Sequence, residues 1–205
     1  QIKEFRRLKK IITFTDAFNE EEMIVAKVIS HQQRLSFQSI RIAKTAKQEI
    51  SLGMPVLSPN GIVGRILNVG KYHADIQILT DNNFYIDSVV ERTKVRGLSQ
   101  GTINEQCKLI LHRRADIKIG DHIVTAGLTG SFPKDISIGN VIKISSGFDE
   151  ISQLITIQPT VDFSTLEEVI ILQRHDPYLE KIKGTLGQDW NKNFTEYKNY
   201  KFNQR

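Results

Sequence analysis

The stretch MPVLSPNGIVGRILNVG, residues 54–70, decides the fold class of this chain of 205 residues. Apolar and β-branched residues alternate with other residues on both sides of Pro59-Asn60-Gly61. Asn-Gly between two such runs is the strongest short-range signal for a β-hairpin. The stretch therefore predicts two antiparallel strands joined by a type I′ turn, with positive φ at both Asn60 and Gly61.

The same stretch allows a second interpretation, because Gly61 and Gly64 lie three apart with Arg65 directly behind them. A phosphate-binding P-loop needs G-x-x-x-x-G-K-[ST] at the entry to a helix, and KH modules clamp the nucleic-acid backbone with a Gly-x-x-Gly loop. Here the glycines lie in β-branched sequence, which favours a strand. We therefore expect Gly64 to mark a bulge or a close approach of two backbones, and Arg65 to be a surface or edge charge.

Short alternating segments recur along most of the chain. Turn signals about every 8 to 12 residues indicate an all-β barrel or sandwich rather than βαβ units. The count of segments predicts an all-β fold of two small six-stranded β-barrel-like domains, one inserted in the other. The segments are MIVAKVISHQ, SFQSIRIAKTA, ADIQILTD, FYIDSVV, KVRGLSQG, CKLILHR, DHIVTAG, GNVIKISS, QLITIQPTV and EEVIILQ, besides the hairpin itself.

The sequence outside these segments predicts a short N-terminal α-helix and a flexible C-terminal tail. Phe5, Leu8 and Ile12 follow coiled-coil spacing, so the helix is expected to be the end of a coiled coil. The tail is rich in Lys, Asn and Tyr and has little periodicity. The predicted domains are the helix at 1–20, a first barrel at 21–53 plus 115–173, an inserted second barrel at 54–114, and a mobile basic tail at 174–205.

Bulk composition points to no particular ligand. The net charge of +5 comes from 28 Lys and Arg against 23 Asp and Glu. This small surplus leaves a basic nucleic-acid-binding β-domain only as an alternative. Cys107 is the sole cysteine, so an internal disulfide and a cysteine-rich zinc site are excluded, and we expect a small core residue. No run reaches the ~18 apolar residues of a membrane span, and because the chain lacks an initiator Met, we expect it to be part of a longer protein.

The sequence predicts no catalytic, cofactor-binding or metal-binding residues. No G-x-S-x-G elbow is present, and Ser131 precedes an aromatic residue and a proline in what reads as a turn. Asp121-His122 and the pair Asp116 and His112 have no particular spacing to a serine. A hydrolase remains the alternative, and it would need a serine, a histidine and an acid within hydrogen-bond reach of one another in a cleft.

Two blocks of sequence resemble a known family. The first runs from Gly53 to Asp81 (GMPVLSPNGIVGRILNVGKYHADIQILTD) and continues to RGLSQG. The second is IGDHIVTAGLTGSFPKDISIGNVI, residues 119–142, ending in IQPTVDFSTLEEVIIL, residues 157–172. In order and spacing the chain resembles the MreC family of rod shape-determining proteins over roughly residues 20–173. Ala126 and Asp135 stand where the family pattern usually has Ser and Gly, so the turn at Asp135 is not expected to need a glycine-only conformation.

The resemblance implies a non-enzymatic periplasmic scaffold of the bacterial elongation machinery. Members have a membrane helix, a coiled coil and two β-barrels, one with a trypsin-like strand arrangement, which is matched here to 54–114. The implied localisation is the periplasm, anchored to the inner membrane. The implied partners are the elongation transpeptidase, a class B penicillin-binding protein (PBP2), the membrane protein MreD, indirectly MreB, and further copies of the chain as a homodimer or filament. No cofactor, small-molecule substrate or nucleic acid is implied.

Two sets of residues carry the predicted structural and binding roles. Partner contacts are expected on the first barrel, through exposed strands and strand edges. The residues predicted for them are Ile24, Val25, Val28, Ile155 and Ile157. The residues predicted to form structural turns are Asn60, Gly61, Gly64, Gly70, Gly127, Gly130, Pro133 and Gly139.

Overall fold

The computed structural model describes residues 23–34, 37–102, 104–127, 132–147 and 151–173. The predicted N-terminal helix and basic tail, and with them Gly130, lie outside these residues. Within the described part of the chain the architecture is all-β, with two closed six-stranded barrels, as the alternating segments predict.

The first barrel is closed by strands from both ends of the described chain. Its order is β1-β12-β3-β4-β5-β2, with neighbouring strands antiparallel. Alternation on β2 sends Ile40 and Ile42 inward, where each is at most 1% exposed. The strands are β1 (Met23–Arg34), β2 (Phe37–Ala43), β3 (Pro55–Ser58), β4 (Gly61–Val69), β5 (His73–Ile78) and β12 (Glu168–Leu172).

The second barrel is one continuous segment between β5 and β12. Its order is β10-β11-β8-β7-β6-β9, also with antiparallel neighbours. A short 3₁₀ helix at Phe163–Thr165 leads back to the first barrel. The strands are β6 (Tyr85–Val90), β7 (Arg96–Gly101), β8 (Cys107–His112), β9 (His122–Thr125), β10 (Ser137–Ser146) and β11 (Ser152–Pro159).

The insertion is therefore present, but the predicted boundary at 54–114 is wrong. Strands β3 to β5 belong to the first barrel, because β3 pairs with β12 through Ile171 and Val56, and β5 pairs with β2 through Ile76 and Ile40. Periodicity identifies a strand but not its partner, and these partners are distant in sequence. The inserted barrel begins with β6 and ends with β11.

Strand β12 joins the cores of the two barrels. Val169 and Ile171 point into the core of the first barrel, whereas Ile170 and Leu172 join a cluster with side chains of the second barrel. All four are at most 1% exposed. A strand covered on both faces reads as a continuous apolar run, which the sequence VIIL is. The barrels thus share buried surface rather than being linked by chain alone.

The hairpin of residues 54–70 is confirmed, but the type I′ turn is wrong. Ser58 pairs with Gly61, so the two loop residues are Pro59 and Asn60. A proline ring fixes φ at a negative value, which excludes the first position of a type I′ turn. Gly61, just after the loop, has φ +143, whereas Asn60 is not among the positive-φ residues.

Three of the other predicted turn residues do have turn or loop roles. Gly70 donates its N–H to the carbonyl of His73 in the β4–β5 turn, Gly127 has φ +69, and the buried Pro133 accepts a hydrogen bond from the Thr125 hydroxyl at 2.6 Å. Gly64 and Gly139 instead lie within β4 and β10. A Cβ on either would overlap a carbonyl oxygen of the adjacent strand, so both let neighbouring strands approach closely.

The turn at Asp135 has a left-handed conformation that is not restricted to glycine, in agreement with the expectation. Asp135 has φ +62, the region that glycine enters most easily. Aspartate tolerates this region better than most residues because its short polar side chain can bond locally.

Candidate protein interface

The junction between the barrels is built around Arg65, which is not the surface charge predicted for it. Arg65 on β4 is only 8% exposed. Its guanidinium lies 4.4 Å above the ring of Phe84, and Nη2 donates to the carbonyl of Tyr85 at 2.9 Å. Phe84 and Tyr85 belong to the start of the second barrel. The arginine therefore fixes one barrel against the other through a cation–π contact and a charge-assisted hydrogen bond.

A buried carboxylate anchors the turn at which the chain crosses between barrels. Asp81 is fully buried and accepts from the backbone N–H of Gln38 and the side chain of Gln77, each at 2.8 Å, and from the N–H of Asn83 at 2.9 Å. These contacts tie Asp81 to strands β2 and β5 of the first barrel. This buried hydrogen-bond network ties the crossing turn to both strands.

The predicted partner-binding residues mostly lie inside the barrels. Ile24 lies in the first core at 9% exposure, and Ile155 and Ile157 are fully buried in the core of the second barrel. Alternation on each strand turns them inward, and β11 is not in the first barrel at all. Only Val25 is well exposed, while Val28 is half-buried against the first core.

The predicted strand-edge contacts are also corrected by the fold. Both sheets close on themselves, so each strand has a neighbour on either side. Closure removes the unpaired N–H and C=O row that an added strand would use. Any partner must therefore meet side chains on the outer faces or at the ends of the barrels.

One outer face of the second barrel carries three aliphatic side chains in a row. Ile110 on β8 is 53% exposed and lies opposite Leu154 on β11. On the other side of β8, Ser99 pairs with Leu109, so the same register places Leu98 opposite Ile110. We call Leu98, Ile110 and Leu154 the aliphatic row. None of them is part of a core cluster, because each points outward from its strand.

A serine, a histidine and a glutamate do lie within hydrogen-bond reach of one another. His122 contacts Glu91 Oε2 through Nδ1 at 2.9 Å and Ser137 Oγ through Nε2 at 2.8 Å. Ser137 Oγ also contacts the Thr160 hydroxyl at 2.8 Å. The order of groups is that of a hydrolase triad. Sequence inspection missed it because Ser137 is on another strand and Glu91 is distant in the chain.

The surroundings of Ser137 are those of a structural link rather than of a nucleophile. A Cβ on Gly61 would overlap the carbonyl oxygen of Ser137 and lie 2.9 Å from Thr160 Oγ1, so the β3–β4 hairpin packs directly on this strand. A nucleophilic serine needs space for the substrate beside its hydroxyl. Here the hydroxyl is engaged by His122 and Thr160, and the hydrogen-bond chain links Glu91, just after β6, to β9 and β10 at the junction.

We expect a fluorophosphonate probe to leave Ser137 unmodified in the folded chain. The hydroxyl of Ser137 is held by both His122 and Thr160, and the β3–β4 hairpin packs beside Thr160. Intact-mass measurement after incubation checks this, with trypsin as a positive control for the probe. A stoichiometric adduct that maps to Ser137 and is lost in Ser137→Ala would restore the hydrolase alternative.

The Asp–His pairs considered in the sequence do not form. Arg92 instead binds both acids, at 2.8 Å to Asp121 Oδ1 and 2.7 Å to Asp116 Oδ2. Hydrogen bonds from Arg92 hold the pKa of both carboxyl groups below the usual range. This cluster is an ion-pair fork at the end of the second barrel, and neither acid orients a histidine.

Cys107 is the core residue predicted. It is fully buried in the second barrel, and burial raises the pKa of its thiol to about 12. A thiol that stays protonated at neutral pH is a poor nucleophile and a poor metal ligand.

Two kinds of site are absent from the part of the chain that the structure describes. Among residues 23–34, 37–102, 104–127, 132–147 and 151–173, no three His, Cys, Asp or Glu side chains are grouped so that they could hold a metal ion. No helix in those same ranges is long and apolar enough to cross a membrane.

Two closed barrels that share a core, one inserted in the other, define a double-barrel all-β protein. The family model described as "Rod shape-determining protein MreC, barrel core" matches residues 28–173. The chain belongs to this family. The resemblance seen in the two sequence blocks is thereby confirmed, and the family's name describes a structural role, in agreement with the expectation of a protein that is not an enzyme.

Relatives at moderate identity share both sequence and fold. The cell shape-determining protein MreC of Listeria monocytogenes is 28% identical over 179 residues, which cover 84% of this chain and 60% of that protein. The crystal structure of MreC from Pseudomonas aeruginosa superposes with a TM-score of 0.70 at 27% identity, covering 74% of this chain and 99% of that one. The chain thus spans about 60% of the length of the Listeria relative.

A more distant solved structure shares the fold alone. It is described as a complex between penicillin-binding protein PBP2 and MreC from Helicobacter pylori. The matching chain has a TM-score of 0.57 at 14% identity and covers 75% of this chain and 100% of that one.

Proposed function

We propose that the chain is the barrel part of a non-catalytic scaffold that maintains bacterial cell shape by binding the periplasmic part of the elongation transpeptidase, PBP2. The observation that carries this is the family match across both barrels. The description of the Helicobacter pylori complex supports this choice of partner, although the likeness to that chain is one of fold.

The mechanism is thermodynamic rather than chemical. A partner with several conformations shifts toward the one that a ligand binds more tightly. A rigid ligand does this best, because it loses little conformational entropy on binding. The shared core and the buried contacts of Arg65 and Asp81 give the two barrels such rigidity.

The wider assembly follows from family membership. We place the barrels in the periplasm, held to the inner membrane by an N-terminal anchor. MreD and, indirectly, MreB are the further proposed partners, and the scaffold associates with itself as a homodimer or filament. These proposals rest on the family and not on a contact within the described residues.

Titration of the chain against the purified periplasmic part of PBP2 tests the partner. We expect saturable binding with a Kd of about 1 µM, which is typical of a transient complex that buries a modest interface area. If neither the heat of mixing nor the mobility of the chain changes when PBP2 is added up to about 100 µM, then an affinity strong enough to act in the cell is excluded. A parallel titration with an oligonucleotide at low salt should be flat, and steeply salt-dependent binding there would favour the nucleic-acid alternative.

A further inference from the structure

The aliphatic row lies among basic side chains on the outer face of the second barrel. In the neighbouring row, Lys108 lies opposite Thr156, which in turn lies opposite Lys143. Arg96 is two residues from Leu98 on β7 and is exposed, on the same face by strand alternation. Asp87, opposite Leu98, is the one acidic side chain in these rows.

The residues on the core side of the same strands indicate that the aliphatic row faces outward. A Cβ on Gly97 would contact the side chains of Leu109 and Leu111, so Gly97 faces the core. Its neighbours Arg96 and Leu98 must therefore face outward. The second barrel is complete without the aliphatic row, whose side chains contribute to the surface instead.

We propose that the aliphatic row and its basic surround form the face that docks the transpeptidase, and that the matching surface of the partner is an apolar centre flanked by carboxylates. This rests on the proposed function. Apolar side chains at the centre of a contact supply most of the affinity once water is excluded. The surrounding charges contribute mainly to specificity and to the rate of encounter.

The basic side chains around the aliphatic row also bear on whether the partner is a different protein or a second copy of the chain. A two-fold contact presents the same patch from both subunits. Both copies would then bring Lys108, Lys143 and Arg96 to the same contact, so that positive charges gather across it and repel one another. An acidic partner removes this repulsion, so the face favours a different protein over self-association.

Ile110→Asp is the central test, with Ile29→Asp as its matched control. Ile29 lies on β1 of the first barrel and is 54% exposed, against 53% for Ile110, so both variants replace an equally exposed isoleucine with the same carboxylate. We expect Ile110→Asp to weaken binding to the periplasmic part of PBP2 by about 30-fold or more, and Ile29→Asp to bind within about twofold of wild type. Circular dichroism confirms that both variants fold.

Charge reversal gives a second, independent readout. Lys108→Glu combined with Lys143→Glu should weaken binding by about tenfold at low salt, with a smaller difference at high salt as screening removes the attraction. Unchanged affinity and unchanged salt dependence would contradict an acidic partner surface.

The outcomes of these experiments distinguish a failure of the proposed docking face from a failure of the proposed function. If the wild-type chain does not bind the transpeptidase at all, the proposed function fails. If the wild type binds and Ile110→Asp binds equally well, the function stands and the docking face is wrong. If Ile29→Asp is the variant that loses binding, the first barrel is the docking surface, and a dimer lost specifically in Ile110→Asp would make the row a contact between copies.

Discussion

Phe84→Ala should lower the free energy of unfolding by about 4 kcal/mol, in the range measured when a buried aromatic ring is truncated. Phe84 is fully buried in the cluster shared by the barrels. Its ring lies under the guanidinium of Arg65 and meets Phe132 edge-on, with centroids 6.1 Å apart. Removal of the ring leaves a cavity at the junction, and the guanidinium of Arg65 loses the aromatic face on which it packs.

Urea unfolding followed by circular dichroism measures this loss. Tyr72→Ala is the control, because Tyr72 is 62% exposed in the β4–β5 turn and its truncation should cost less than about 0.5 kcal/mol. The wild type should unfold in a single transition, since the two barrels share one cluster. A loss below about 1 kcal/mol for Phe84→Ala would mean that the junction is not a packed core.

Gly64→Ala should cost about 3 kcal/mol, the upper end of the usual range for overpacking. A methyl group at this position overlaps the carbonyl oxygen of Gln77 and crowds the backbone of Ile78. Both atoms belong to β5, which pairs with β4 here, so neither can rotate away as a side chain would. The strands must separate, and the ladder hydrogen bonds on either side weaken.

Gly120→Ala is the control that separates the steric overlap at Gly64 from the cost of replacing a glycine where there is space for a methyl group. Gly120 has φ +91, but a Cβ there would meet nothing within 4 Å. Its substitution should cost about 1–2 kcal/mol, from backbone strain alone. The two variants are compared by urea unfolding, and a Gly64→Ala loss no larger than that of Gly120→Ala would contradict a close approach of β4 and β5.

Local structure was predictable from the sequence, whereas long-range pairing was not. The Asn-Gly signal placed the hairpin correctly, and period-two alternation identified an all-β chain. The partners of β3 and β5 could not be read off, because alternation specifies a face but carries no information on which distant strand lies beside it. Pro59 did hold a usable signal against the type I′ turn, since its ring forbids positive φ.

The residues available to a partner are those on the exposed face of each strand, and periodicity does not say which of the two faces is exposed. Ile155 and Ile157 alternate as predicted, but the pattern gives two faces and does not say which is inside. The continuous apolar run of β12 was a signal for a strand covered on both sides. Arg65 gave no such signal, because its burial depends on Phe84 and Tyr85, which the fold brings to it from the other barrel.

Sedimentation velocity of the chain mixed with the periplasmic part of PBP2 tests the central claim most directly. At concentrations of about 5 µM, a few times the expected Kd, we predict a faster boundary that contains both proteins, persists with Ile29→Asp and is largely lost with Ile110→Asp. Two independent boundaries for the wild-type mixture would contradict the account of this chain as a scaffold for the transpeptidase.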